Sequence, residues 1–497
     1  MQNQDTKPTD PKKEDVVENF ELNIWEALIP VFALIIMLFY NVSVAYGDDA
    51  LSGSNQFILL MGGAVAAIVG FFNKVKFDQM IEEVASNIKS TAGAILILLM
   101  VGALAGTWLI SGIIPTMIYY GLQILNPTIF LASCIIICAI ISVATGSSWT
   151  TSATVGIALI GIADAMNIPL GMTAGAILSG SYFGDKISPL SDTTNLAPAM
   201  AGTDLFTHIR YMLYTTVPTL TVTLIVFIIL GFNIDTSGTA DTQAILTSVE
   251  KSINVSPWLF VVPIAVIIMI VKKTSPLIAL LIGSLLGGVA ALIFQPDIVA
   301  SVGGGTSLTF ESGYKGIMNA ITVDSSIATD NESLEDLFSA KGMSGMLNTV
   351  WLIICAMTFG GIMDAIGALS AISRALLKLF HTTFGLFAST VASCLAINLT
   401  ASDQYLAIVV PGKMYAQAFK DKGLAPENLS RTLEDSGTVT SVLIPWNTCG
   451  AYHSEVLGVD TLHYAGYAIF NWLSPFTTLL FAAFRIKIRQ LATTETA

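Results

Sequence analysis

Charge is scarce in this 497-residue chain: Asp, Glu, Lys and Arg make up only 11% of it, against about 25% in an ordinary soluble domain. Hydrophobic residues account for 54%, and mean hydropathy is +0.73. A soluble chain of this length could not cover its surface with so few polar groups. The same composition excludes disordered, collagen-like and disulfide-scaffold classes. Cysteine is sparse too. Cys134, Cys138, Cys355, Cys394 and Cys449 lie in or beside apolar runs. Cys134 and Cys138 are spaced i,i+4, but no second ligand pair accompanies them, so all five read as small packing residues. No basic patch interleaved with aromatics is present, so nucleic-acid binding has no support. Walker-type lysine loops, a nucleophile elbow in a strand context and His-Glu-x-x-His are missing as well. Neither an enzyme nor a resident cofactor is expected, and an ion gradient rather than ATP would drive any transport.

What is present is a series of apolar runs. A helix rises 1.5 Å per residue and the hydrocarbon layer is about 30 Å thick, so roughly 20 apolar residues cross it. Plain spans are expected at 26–46, 56–73, 91–114, 206–231, 257–271, 274–295, 345–366 and 463–484. Between them, 127–168, 170–203, 383–420 and 426–458 are apolar but interrupted by Gly, Pro, Ser, Thr, Asn and charged residues. The fold class is an all-α polytopic membrane protein.

The interruptions recur. At an offset of 256 residues Trp149 falls on Tyr405, Pro189 on Pro445 and Asp204 on Asp460, and Gly156, Gly202 and Tyr211 meet identical residues. Each unit then holds three plain spans, a hairpin expected to be re-entrant with a polar tip, a broken span and a final span. That is an odd number of crossings, so tandem copies would be oppositely oriented: an inverted repeat. The expected division is a cytoplasmic tail at 1–24, a first membrane repeat at 25–231, an external linker at 232–256, a second repeat at 257–489 with an external loop at 296–344, and a tail at 490–497. The net charge is −13, and much of the acid lies in the linker and that loop. With the N-terminus inside, seventeen Lys and Arg fall on inner segments. Only Lys251, Lys315 and Lys341 fall outside. This bias puts both termini in the cytoplasm of a multi-pass inner-membrane protein. Met1–Phe20 carries no basic-then-apolar signal pattern.

Two kinds of break carry chemistry. The first is the hairpin tip, Ala144-Thr145-Gly146-Ser147-Ser148-Trp149-Thr150-Thr151-Ser152 in one half and Asn398-Leu399-Thr400-Ala401-Ser402-Asp403-Gln404-Tyr405 in the other. Such turns free backbone groups that must be buried or line a wet cavity. Their hydroxyls and carbonyls suit a hard cation, although Ser and Thr also bond back to helix carbonyls. The second is Gly180-Ser181-Tyr182-Phe183-Gly184-Asp185-Lys186-Ile187-Ser188-Pro189-Leu190-Ser191-Asp192-Thr193-Thr194-Asn195. Each charge at mid-bilayer costs roughly 2.5–3.5 kcal/mol on insertion scales, so such groups usually face a pathway and are paired. Gly184 and Pro189 are expected to break the helix, with Ser188, Thr193 and released carbonyls as oxygen ligands beside Asp185 and Asp192. Burial favours the neutral acid and the nearby ammonium favours the carboxylate, so either acid can hold a cation or a proton. An Asp185–Lys186 pair at a span end is the structural alternative.

The counterpart in the second half holds Arg431, Glu434 and Asp435, then Pro445, Asn447 and Thr448. Arg431 and Asp435 are spaced to pair at i,i+4, and Ser436-Gly437 is expected to end the helix. Asn447 and Thr448 replace Ser191 and Asp192, so the halves contribute unequally. Asp364 and Asp164 are further acids in apolar runs. His208, His381, His453 and His463 are expected in solvated positions, with His453 best placed to sense pH.

The run from Gly180 through Asn195 to Pro198 resembles the hallmark of the NhaC family of sodium/proton antiporters, and 441–448 (Ser-Val-Leu-Ile-Pro-Trp-Asn-Thr) resembles that family too. The likeness covers about Trp25 to Arg489. It implies exchange of sodium for protons, with malate/lactate exchangers as close relatives, a dimerising scaffold and a mobile transport part. On that reading Asp185, Asp192 and Asp435 carry cation and proton. Oxygens at 145–148, 188–193 and 400–403 complete the coordination, and Lys186 and Arg431 tune charge. A sodium- or proton-coupled exchanger of small carboxylates or amino acids is the alternative, in which Arg431 could hold a carboxylate.

Overall fold

The computed structural model describes residues 21–46, 53–234, 242–329, 335, 338–379 and 382–491. Residues 1–20 of the tail expected at 1–24, residues 492–497 of the tail expected at 490–497, and His381 lie outside these residues. The chain begins α1 (Ile24–Tyr40), α2 (Ser54–Phe72), α3 (Phe77–Ile110) and α4 (Ile113–Ile124). Next come α5 (Pro127–Thr145), α6 (Ser148–Thr151), a π-helical turn at Ser152–Gly156 and α7 (Ile157–Ala165). Then follow α8 (Leu170–Ile187), α9 (Asp192–Ala201), α10 (Leu205–Phe232) and α11 (Thr242–Ser252). The second half runs α12 (Val261–Val271), α13 (Pro276–Phe294), α14 (Pro296–Val302), α15 (Phe310–Thr322), α16 (Gly342–Gly345), α17 (Leu347–Ala365) and α18 (Ala368–Leu379). It ends with α19 (Thr383–Thr400), α20 (Gln404–Asp421), α21 (Pro426–Leu433), α22 (Thr448–Leu457), α23 (Thr461–Ala465) and α24 (Ile469–Ala483). Eight helices among the described residues are long and apolar enough to cross a membrane, and nine if the bent pair Ile245–Ser252 and Pro257–Val271 counts as one span. The protein is a multi-pass membrane protein. Outward rows such as Ile29, Phe32 and Ile36 on α1, and Ile225, Ile229 and Phe232 on α10, are exposed and apolar, as a lipid-facing surface requires.

Helix boundaries keep the 256-residue offset. α5 and α19 start at Pro127 and Thr383, α8 and α21 at Leu170 and Pro426, and α9 and α22 span equal lengths from Asp192 and Thr448. The caps explain why. Ser191 and Asn447 cap α9 and α22 with side-chain oxygens, satisfying amides that the helix leaves open. Gly202 and Gly458 close the same helices in the left-handed region.

The loop expected at 296–344 is structured. α14 and α15 fold back on α3, where a Cβ on Gly106 would collide with the Ala320 carbonyl. A short strand pair, β1 (Ser325–Ser326) with β2 (Ser339–Ala340), is antiparallel. The 232–256 linker likewise contains α11. Apolar residues among the acids, such as Ile245 and Val249, are buried, and they fix these segments against the membrane part.

Two expected helix breaks are not breaks. α8 continues through Gly184 to Ile187. Gly184 is there for packing: a Cβ would lie 2.5 Å from Ser142 Cβ and 2.6 Å from the Ala139 carbonyl oxygen, and at Gly180 it would lie 2.3 Å from the Ile135 oxygen. Glycine lets α8 lie directly on α5. Gly184→Ala is expected to force the pair apart at a cost of about 1–3 kcal/mol. Gly93→Ala meets nothing within 4 Å and is expected to be neutral or stabilising by about 0.5–1 kcal/mol. Thermal stability of the purified protein in detergent checks both, and equal melting of the two variants would contradict the packing role. Ser436-Gly437 does not end α21 either, because a π-helical turn at Glu434–Thr438 carries the chain onward.

Candidate functional site

Both tips and both breaks meet in the interior. α5 ends at Gly146, whose φ of +70° needs no Cβ. A Cβ there would also press on Leu190 and Ser191, so the first tip sits against the first break. Ser147 caps α6 by accepting from Thr150 N. Asp403, 256 residues on, caps α20 by accepting from the Tyr405 and Leu406 amides at 2.8 and 3.0 Å.

A cavity of about 430 Å³ opens between these elements. Thr145, Ser147, Asp185, Asp192, Thr193, Asp403 and Thr448 all line it. Asp185 is 9% exposed, and its Oδ2 accepts from Ser148 N at 3.1 Å and Ser148 Oγ at 2.7 Å. Asp192, in the first turn of α9, is exposed into the cavity. The helices starting at Ser148, Asp192, Gln404 and Thr448 all aim their N-termini here. Each contributes roughly half a positive charge. Three carboxylates face four such ends, so the cavity gathers anionic oxygens beside hydroxyls, a donor set that suits a monovalent cation. Lys273 stands exposed at the wall. No group of three or more His, Cys, Asp or Glu side chains that could hold a metal occurs among the described residues. A cation here would be held by acids together with hydroxyls.

The other expected ligands are placed elsewhere. Ser188 Oγ donates to the Val143 carbonyl at 2.9 Å, tying the break to α5. Thr400 bonds back to Ala396 O. Ser402, buried with φ +59°, offers its carbonyl to Thr448 N. Asn447 caps α22 and donates to Asn398 O. None of these four lines the cavity. The carbonyls expected to be free at the break are also taken, those of Asp185 and Lys186 by Thr194 Oγ1 and that of Pro189 by Asn195 Nδ2. A buried polar group without a partner costs free energy, so the chain closes these bonds itself.

Behind the cavity lies a buried charge cluster. Lys186 is fully buried and forms an ion pair with Asp435 rather than with Asp185. Asp435 Oδ2 also accepts from Thr215 Oγ1 at 2.9 Å and from Thr478 Oγ1. The expected Arg431–Asp435 pair does not form. The π turn after Leu433 rotates Asp435 off the face of Arg431, and the guanidinium lies over the rings of Tyr211 and Phe481, 4.6 and 5.8 Å from their centroids. Glu434 Oε1 accepts from Thr193 Oγ1 at 3.0 Å, which links the cluster to the cavity wall.

Histidines depart from expectation as well. His208 is buried and bonded to Ser430 Oγ at 2.8 Å. His453 is buried beside Trp149, Tyr182 and Tyr452. Only His463, of the three described, is exposed. The two buried rings sit on helices that adjoin polar breaks, and those breaks make interior positions resemble interfaces. Sequence pattern also gives no sign of Glu455, whose carboxylate accepts from Thr349 Oγ1 at 2.8 Å.

Known proteins resemble this chain over most of its length. Residues 180–486 match the Na+/H+ antiporter family, and residues 2–232 match the C4-dicarboxylate anaerobic carrier family. The chain is 36% identical to the Na(+)/H(+) antiporter NhaC of Alkalihalophilus pseudofirmus over 84% of this chain and 87% of that one. It is 35% identical to the Na(+)/H(+) antiporter NhaC of Bacillus subtilis over 80% of this chain and 85% of that one. It is also 35% identical to the malate-2H(+)/Na(+)-lactate antiporter of Bacillus subtilis over 84% and 86%. These relatives are transporters, and the chain belongs to the Na+/H+ antiporter family.

Proposed function

We propose that the protein exchanges sodium for protons across the cytoplasmic membrane by alternating access. The observation that carries this reading is the gathering of Asp185, Asp192 and Asp403 with Thr145, Ser147 and Thr193 in one cavity at four helix N-termini. Protons and sodium then compete for the same carboxylate oxygens, and that competition makes the exchange obligatory. The shared offset of helix boundaries supports two units, 25–231 and 257–489, inserted as an inverted repeat with both termini cytoplasmic. In that orientation the cavity, lined by Ser90, Thr91 and Lys273, faces the cytoplasm.

Everted vesicles separate this reading from its rival. Sodium alone is expected to dequench a pH-sensitive dye in vesicles holding an acid interior. A second reading, exchange of small carboxylates, is favoured by the malate/lactate relative and by helix N-termini that also suit anions. Under that reading dequenching requires malate, lactate or an amino acid in addition to sodium. No response to sodium alone would overturn the first reading.

A further inference from the structure

A second cavity, of about 930 Å³, reaches the other break at Ile444, Pro445 and Trp446. Two helices fix its position relative to the carboxylate cavity. Along α3, Ser90, Thr91 and Ile97 line the carboxylate cavity, whereas Val101, Ala105 and Leu109 line the larger one. Along α22, Thr448 lines the first, and Ala451, Ser454 and Glu455 line the second. The two therefore open toward opposite ends of the same helices. The step from Thr448 to Ala451 is about 4.5 Å, less than one helical turn.

What fills that step is aromatic. Trp149, on the first tip, faces the carboxylate cavity. Its ring stacks on Tyr452 of α22 at 3.9 Å between centroids and 18° between planes. Tyr452 Oη donates to the Trp149 carbonyl oxygen at 3.1 Å. This contact joins residues 303 positions apart, one from each half of the chain. Beyond it stands Glu455, held by Thr349, with Lys341 and Asp460 on the same wall. A carboxylate in a largely apolar cavity draws cations to it.

We propose that the larger cavity is the second vestibule of the transport path, that Glu455 is its cation-accepting group, and that the Trp149–Tyr452 stack is the partition between the vestibules. The proposal rests on the transport reading above, but its test requires no transported ion, so the two fail separately. All five native cysteines are buried and serve as the unlabelled background. Single cysteines are introduced as Ser90→Cys and Ser454→Cys and treated with membrane-impermeant thiol reagents, one cationic and one anionic, in vesicles of each orientation. The two sites are expected to react from opposite faces, and reaction from the same face overturns the proposal. Replacing Trp149 and Tyr452 together by Ala is expected to raise the rate at Ser90→Cys from the far face at least tenfold. If the double variant does not fold, Trp149→Leu alone is read in the same way, with Trp149→Phe as the ring-preserving control. An unchanged far-face rate overturns the partition. Glu455→Gln is expected to lower the ratio of cationic to anionic reagent rates at Ser454→Cys several-fold, and an unchanged ratio removes Glu455 from the path.

Discussion

Asparagine in place of Asp185 is expected to reduce sodium-dependent proton movement in vesicles to background, and Asp192→Asn to do the same, with wild-type amounts of protein in the membrane. The substitution is isosteric. It keeps an oxygen that can accept from Ser148 N and Oγ and removes only the charge. Asp185, Asp192 and Asp403 are the three carboxylates that line the cavity. Removing one therefore takes away a full unit of the negative charge that would face the ion. A unit charge about 4 Å from a sodium ion is worth about 4 kcal/mol at an effective dielectric constant of 20. That corresponds to a loss of roughly two to three orders of magnitude in affinity. The control is protein yield and thermal stability. Both hydrogen bonds from Ser148 reach a single oxygen of Asp185, and the amide keeps an acceptor there, so stability is expected to change little. Wild-type flux in either variant would remove that carboxylate from ion binding.

Sequence pattern makes these two acids visible because charge inside an apolar run is rare and expensive. The tips are visible because a hydroxyl-rich turn between two apolar helices marks a place where backbone groups must find partners away from lipid, and their caps do set the helix starts at Ser148 and Gln404. The breaks' positions are legible to within a few residues. Their internal bonding is not. Whether Ser188 faces a cavity or the Val143 carbonyl depends on how α8 is rotated against α5, and that rotation is set by the contacts of Gly180 and Gly184. A glycine that breaks a helix and a glycine that admits a neighbouring helix look identical in sequence.

Long-range pairing is hidden for a related reason. Local spacing favours Arg431 with Asp435, since residues four apart share a helix face. A single π turn cancels that spacing, and no composition rule announces one. The partner that Asp435 takes, Lys186, belongs to the other half of the chain. Nor does sequence distinguish His453, buried among aromatic rings, from the exposed His463, because both follow the second break closely.

Breaking the Lys186–Asp435 pair from one side is expected to be the most destabilising of these changes. Both side chains are fully buried, and four elements meet at the pair: α8 through Lys186, α10 through Thr215, α24 through Thr478 and the π turn through Asp435. Lys186→Met leaves a carboxylate in the interior with two hydroxyl donors and no cation in contact with it. Removing one partner of a buried pair typically costs about 3–5 kcal/mol. Replacing both by apolar groups of similar size is often neutral, so Lys186→Met combined with Asp435→Leu is expected to recover most of that loss. Thermal unfolding of the wild type, the two single variants and the double variant in detergent gives the coupling directly. Additive losses, with no recovery in the double variant, would mean that the pair is not a unit. Exchange separates structure from transport within the same series. A pair that only holds helices together predicts a stable and active double variant, whereas a pair that takes part in ion exchange predicts one that is stable and inactive. The second result is expected, because Thr193 bonds Glu434, the neighbour of Asp435, to the cavity wall, so charge changes in the cavity and in the cluster act on each other through one hydroxyl.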